Sequence, residues 1–225
     1  ISNQLKEVGI ENYNLDAEII ICHALGIERH KLVIDPDRIL TTEEINNIKK
    51  LCDRRMKFEP IAYIVGQKEF YSIDFYVNQD VLIPRPETEL LVDLAIYYSP
   101  QNGTVLDLGT GSGVIAIALK YNRKDLQLFA SDISEKAVNV AKKNCSNILV
   151  NGKIDFFCGN LFEPFGENKF DVIVSNPPYI DKQLSPTLQR ELQYEPQGAL
   201  YSNNNGTEIL QLIISQASMF LQDKG

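Results

Sequence analysis

Apolar and polar positions change rhythm twice along the chain. Over residues 1–58 they recur at helical spacing. Asn14 is placed to cap a segment whose face is Leu15, Ile19, Ile20, Cys22 and Leu25, with Gly26 where a helix would stop. Thr41 followed three residues later by Glu44 is a capping box. It opens a second helix carrying Ile45, Ile48, Leu51 and Cys52 on one side and ending before Pro60. Between 59 and 82 the runs Ala62–Val65, Glu69–Tyr71 and Ile73–Val77 are of β type and predict a hairpin linking two parts. Pro86 with acids in the next turn then opens a helix through Tyr97.

From residue 103 onward, β-branched and aliphatic runs alternate with helical ones. Strands are predicted over 104–108, 127–131, 153–157 and 170–175, with helices over 114–121 and 135–144 between them. This is the pattern of an α/β, doubly wound parallel sheet. The organisation expected is a helical docking domain over 1–58, a hairpin linker over 59–82 and an α/β domain over 83–225. Such a fold calls for further strands after the helix at 207–221, roughly 40–60 residues more than the chain contains.

Composition narrows the function classes. The 225 residues hold 22 Lys+Arg against 30 Asp+Glu, a formal net charge of −8, which opposes a protein built to grip a phosphate backbone. The four cysteines, Cys22, Cys52, Cys145 and Cys158, form no Cys-x-x-Cys pair and read as reduced thiols. With only His23 and His30 to join them, no metal site is expected. No apolar run approaches the ~20 residues of a membrane span, and there is no secretory leader, so a cytoplasmic protein is expected.

Two motifs carry chemistry. Val105-Leu106-Asp107-Leu108-Gly109-Thr110-Gly111-Ser112-Gly113 sets three alternate glycines between a strand and a helix. Asp132 follows at the end of the next strand, 23 positions after Gly109, where a carboxylate accepts ribose hydroxyls. Gly111-x-Gly113-x-x-Ala116 is compatible with a dinucleotide, whereas Asp107 beside the loop suits a ligand with a cationic end, such as S-adenosylmethionine. No Gly-Lys-Ser/Thr follows, which excludes a phosphate loop of that kind.

The second motif is Asn176-Pro177-Pro178-Tyr179, after the fourth strand of the α/β part. In doubly wound order that strand lies beside the first, across the switch point, so both motifs face one crevice. The residue types suit methylation of a planar amino group, a weak nucleophile because its lone pair is delocalised. Asn176 offers a side-chain carbonyl and Pro177 a main-chain carbonyl to its two N–H bonds, and Tyr179 a ring to lie on it. Two prolines stiffen the turn before reaction.

With these residues in view, the chain resembles the peptide chain release factor N5-glutamine methyltransferases, the PrmC/HemK family. The likeness runs through Tyr63–Gly66, Glu69-Phe70, Val81–Glu89, the glycine loop, Asn176–Tyr179, Glu195-Pro196 and Ala199-Leu200. Val81–Glu89 contains the family-specific block Ile83-Pro84-Arg85-Pro86-Glu87-Thr88-Glu89, whereas Asn-Pro-Pro-Tyr is shared with adenine-N6 methyltransferases. The resemblance implies a Rossmann-like methyltransferase domain using S-adenosylmethionine, released as S-adenosylhomocysteine, and no metal. It implies cofactor binding by Gly109, Thr110, Gly111, Ser112, Gly113, Asp132, Asn160, Leu161 and Asn176, with Asn160-Leu161 along the adenine. Asn176 and Pro177 would be catalytic, and with Pro178 and Tyr179 would bind the substrate glutamine. The implied partners are class I release factors, met by a monomer through the glutamine of their Gly-Gly-Gln motif.

Three other functions fit these residues less well. An adenine-N6 methyltransferase acting on DNA or RNA is opposed by the acidic charge and by the Ile83–Glu89 block. A nicotinamide-dependent oxidoreductase lacks a Tyr/Lys proton donor, and a silent docking module leaves Asn176 without a purpose.

Overall fold

The computed structural model describes residues 1–150, 152–183, 189–223 and 225, which divide into two compact units. The first comprises 1–66 with 189–194, and the second 67–188 with 195–225.

Unit one is helical: α1 (Ser2–Glu7), α2 (Tyr13–Leu25), α3 (Lys31–Ile34), α4 (Thr42–Met56) and α5 (Ile61–Val65), with a 3-10 turn at Arg190–Tyr194. Leu5, Ile20, Ile48, Leu51, Cys52 and Ile64 form its core. Both hydrogen bonds of the Thr41/Glu44 capping box are made, at 3.2 and 2.8 Å. Gly26 closes α2 in the left-handed region, at φ 61.

Two expectations fail here. Helix α2 begins at Tyr13 with Asn12 at its N-cap position, so Asn14 lies within it. Leu15 is exposed and Asp16 takes its place inside, because the buried Arg55 guanidinium meets it at 2.6 Å. Residues 62–65, expected as strand, are the helix α5. Pro60 fixes the entry and accepts from Tyr63 and Ile64, and Gly66 ends the turn at φ 72, which together override β propensity. The hairpin is therefore shorter than 59–82: β1 (Gln67–Phe70) pairs antiparallel with β2 (Ile73–Tyr76), inside unit two.

Unit two continues through a 3-10 turn at Pro86–Thr88 into α6 (Glu89–Tyr98). The α/β series follows: β3 (Thr104–Leu108), α7 (Val114–Asn122), β4 (Gln127–Asp132), α8 (Glu135–Ile148), β5 (Ile154–Cys158) and β6 (Val172–Ser175). The sheet order is β5-β4-β3-β6, all parallel, so the order reverses between β3 and β6. That is the switch point expected from sequence. Strand β6 starts later than expected; Phe170 instead bridges to Leu221.

Alternation along the strands fills both faces. Val105, Leu128, Ala130 and Val174 pack with α7 and with Phe70 and Phe75 of the hairpin. Leu106, Leu108, Phe129 and Ile173 pack with Phe162, Phe165 and Ile213. Six consecutive residues of α7, Val114–Leu119, are buried, as suits a helix covered all round. Each of its large side chains contributes about 1.5–3 kcal/mol by burial. The chain closes with β7 (Ile180–Asp181), α9 (Gln197–Leu200), β8 (Tyr201–Ser202), α10 (Asn203–Gly206) and α11 (Glu208–Phe220), β7 and β8 pairing in parallel.

Candidate active site

A cavity of about 500 Å³ opens at the carboxyl ends of β3, β4 and β6. Leu108, Gly109 and Gly111 form one wall, Ser131, Asp132 and Ile133 a second, and Ser175, Asn176, Pro177 and Pro178 a third. Asn160 and Leu161 border it too. Its size is that of a small-molecule site.

The glycine loop is built for close approach. Gly109 and Gly111 sit at φ 70 and 56, and a Cβ on either would meet no atom of the chain within 4 Å, so bare backbone faces the cavity. Gly113 serves packing instead: a Cβ there would meet Ile117 at 2.9 Å and Ala141 at 3.1 Å. Thr110 donates its N–H to Ser131 O at 2.9 Å, docking the loop on the end of β4.

Asp132 holds this arrangement from the second wall. Its two carboxylate oxygens accept from the N–H groups of Gly111 and Ser134, each at 2.9 Å. Burial raises its pKa, against the pull of those backbone bonds. Each oxygen keeps a lone pair for a ligand hydroxyl.

Asp107 corrects the sequence reading. Strand alternation turns it onto the α7 face, wholly buried and away from the cavity lining. Its Oδ2 accepts from the Thr110 hydroxyl at 2.6 Å and Ala116 N–H at 3.2 Å, stapling the loop from behind. Its Oδ1 has no hydrogen-bond partner among the described residues. Burial pushes its pKa up to about 7. It braces the loop from behind and stands outside the cavity lining.

Of the expected site residues, Gly109, Gly111, Asp132, Asn160, Leu161, Asn176, Pro177 and Pro178 border the cavity. Thr110, Ser112 and Gly113 lie behind it, and Tyr179 is 64% exposed and outside the lining. Asn176 donates Nδ2 to Thr88 Oγ1 at 3.0 Å. Sequence reasoning left out Lys182, Ser202 and Glu208, which also border the cavity and belong to no spaced motif. It also missed Asn144, whose single buried amide joins α8 to both the hairpin and the loop. Glu195, read as structural, is buried and accepts from Ile83 N–H at 3.0 Å and Arg85 at 2.6 Å.

A doubly wound sheet with a glycine loop, an acid after the second strand and an amide-bearing turn at the switch point defines a methyltransferase domain. The Methyltransferase small domain matches residues 86–205, and the PrmC N-terminal domain matches 1–66. A release factor glutamine methyltransferase of Geobacter sulfurreducens is 39% identical over 98% of this chain and 78% of its own length. The chain belongs to the release factor glutamine methyltransferase family. A bifunctional methyltransferase of Rickettsia bellii is 38% identical over 99% of this chain but 45% of its own length, so the chain spans less than half of that relative. A methyltransferase of Pyrococcus furiosus shares the fold at a TM-score of 0.51 and 17% identity, covering 76% of this chain and 74% of that one.

The cavity fits S-adenosylmethionine, the cofactor that such a domain implies: bare backbone at Gly109 and Gly111 admits the ligand closely, and Asp132 supplies acceptors for hydroxyls. No cluster of three or more His, Cys, Asp or Glu side chains suited to a metal occurs among the described residues. No described helix is long and apolar enough to cross a membrane.

Proposed function

We propose that this chain carries out methyl transfer from S-adenosylmethionine to the side-chain amide nitrogen of a glutamine, that of the Gly-Gly-Gln motif in class I release factors. The observation that carries this reading is the convergence of Gly109, Gly111, Asp132, Asn176 and Pro177 on one cavity. When bound, the cofactor supplies a sulfonium methyl whose bond to sulfur breaks as a bond to nitrogen forms, leaving a thioether.

The chain's own residues bind, orient and deactivate resonance. Gly109, Thr110, Gly111, Ser112 and Gly113 form the loop along the cofactor, Asp132 takes its ribose, and Asn160 and Leu161 flank its adenine. Asn176 Oδ1 and the Pro177 carbonyl accept the two N–H bonds of the amide, favouring a pyramidal nitrogen with its lone pair aimed at the methyl. Pro178 stiffens this turn, and Tyr179, at its exposed edge, is the surface a bulky protein substrate meets. No strong base is needed before transfer, because the nitrogen sheds its proton only once the new bond makes it acidic. A cytoplasmic monomer acting on a protein, with no nucleic-acid or membrane partner, completes the reading.

The experiment offers radiolabelled S-adenosylmethionine to the chain with a release factor and, separately, with DNA and RNA oligonucleotides. Label on the factor alone, lost in Asn176→Ala while cofactor binding is kept, is expected. Label on DNA or RNA instead, or full activity in Asn176→Ala, overturns the proposal.

A further inference from the structure

We infer that Thr88 is a positioning residue that sets which end of the Asn176 amide faces the substrate, and that this is what the Ile83–Glu89 block is for. The inference deepens the function proposed above and rests on it.

A primary amide has an accepting end and a donating end, and half a turn about its last torsion exchanges them. Only the Oδ1 end of Asn176 can take an N–H from a substrate amide; the reverse orientation sets donor against donor. In the structure, Nδ2 is spent on Thr88 Oγ1 at 3.0 Å, and Thr88 is only 7% exposed. The Thr88 hydroxyl can accept from Nδ2 or donate to Oδ1; in the structure it accepts, so the amide is held with its donating end on a buried partner and its accepting end left for the ligand.

The rest of the block accounts for where Thr88 stands. Thr88 ends the 3-10 turn that Pro86 opens, and its own N–H bonds Arg85 O at 3.0 Å. Upstream, the buried Glu195 carboxylate holds both Ile83 N–H and the Arg85 guanidinium. Downstream, Glu89 accepts from Tyr71 N–H at 2.8 Å. None of the seven residues Ile83–Glu89, all described, borders the cavity. A block anchored at both flanks and lying outside the cavity lining acts through what it presents, and toward Asn176 it presents the Thr88 hydroxyl.

The test compares wild type, Thr88→Val, which keeps the shape and removes the hydroxyl, and Thr88→Ser, which keeps the hydroxyl. Steady-state methyl transfer to a release factor is measured with cofactor affinity and the thermal midpoint. Thr88→Val is expected to lower kcat about ten- to a hundredfold. Cofactor Kd and the thermal midpoint stay near wild type, and Thr88→Ser recovers most of kcat. Wild-type kcat in Thr88→Val, equal loss in both variants, or a parallel loss of cofactor affinity overturns the inference.

A second readout is independent of turnover. The Asn176 side-chain NH₂ signals in an ¹⁵N spectrum, assigned by their loss in Asn176→Ala, should exchange slowly in wild type and Thr88→Ser and rapidly in Thr88→Val. Unchanged exchange in Thr88→Val overturns the inference even if no release factor is methylated. An unlabelled factor with wild-type enzyme, by contrast, overturns the proposed function alone.

Discussion

The side-chain amide of Asn144 donates to the carbonyl of Ser112 at 2.8 Å, tying helix α8 to the loop that walls the cavity. The same side chain accepts from Tyr76 N–H at 2.8 Å and donates to Tyr76 O at 2.9 Å. Its hydrogen-bonding capacity is thus divided between the hairpin and the glycine loop, in a place only 1% exposed. Asn144→Leu would leave those backbone groups buried without this partner. A loss of about 2–4 kcal/mol in urea denaturation is expected. Calorimetry should also show weaker cofactor binding, since Ser112 adjoins Gly111; unchanged affinity would remove the loop from Asn144's influence.

Asp107 makes stability depend on pH. An aspartate ionises near 3.8 in the unfolded chain, whereas burial holds the folded carboxyl to about 7. The folded state keeps a proton that the unfolded state releases, so this group's contribution is complete at low pH and is lost progressively as pH rises toward 7. Asp107→Asn cannot titrate. The stability of Asp107→Asn relative to wild type should therefore rise between pH 5 and 7 and level off above it, read from urea midpoints across that range. A difference that stays constant with pH would refute the assignment.

Asp107 also shows what the sequence made legible and what it did not. The glycine loop, the acid after β4 and the turn after β6 were readable because each couples a backbone demand to a side-chain chemistry at fixed spacing, and the strand order is the usual one of a doubly wound sheet. The partners of Asp107 were not, because the Thr110 hydroxyl and the Ala116 N–H are brought to it only by the way the loop and α7 pack on β3. Nor was α5: Ala62–Val65 has β-type composition, and the turn it makes is set by Pro60, Gly66 and the pocket that Ile64 fills in the helical core. Asn144 and Thr88 carried no spacing signal, since their partners lie 68 and 88 positions away.

Gly206 allows α10 to approach the end of the turn Asn176–Tyr179. A Cβ built there would lie 2.1 Å from Tyr179 O and 2.8 Å from its carbonyl carbon, and the backbone stands at φ +84. Gly206→Ala must therefore push the chain at Tyr179–Ile180 aside and strain its own backbone, at roughly 2–4 kcal/mol. Turnover should fall by a larger factor than cofactor affinity, because the displaced chain follows Pro177 and Pro178 directly. A variant with unchanged kcat and thermal midpoint would show that this contact is not needed.

Arg55 is the hub of the helical unit. Its guanidinium meets Asp16 at 2.6 Å, Glu191 at 3.1 Å and the Glu59 carbonyl at 3.2 Å, and both Arg55 and Asp16 side chains are below 10% exposed. Removing one partner of such a pair leaves the other charge buried, at a cost of about 3–5 kcal/mol, while removing both costs far less. Arg55→Met should lower the unit's stability by that amount, and Arg55→Met with Asp16→Leu should recover most of it. Glu191 adds a second consequence. It sits in the turn Arg190–Tyr194, which this unit also holds through Arg190 over the Phe58 ring at 4.7 Å and Tyr194 Oη to Lys57 O at 2.8 Å. Loss of Arg55 should loosen that turn and speed tryptic cleavage after Arg190 relative to sites elsewhere in the chain. In the double variant, stability returns but the bond to Glu191 does not, so cleavage after Arg190 should remain faster than in wild type. Wild-type cleavage there would mean that the turn is held without Arg55.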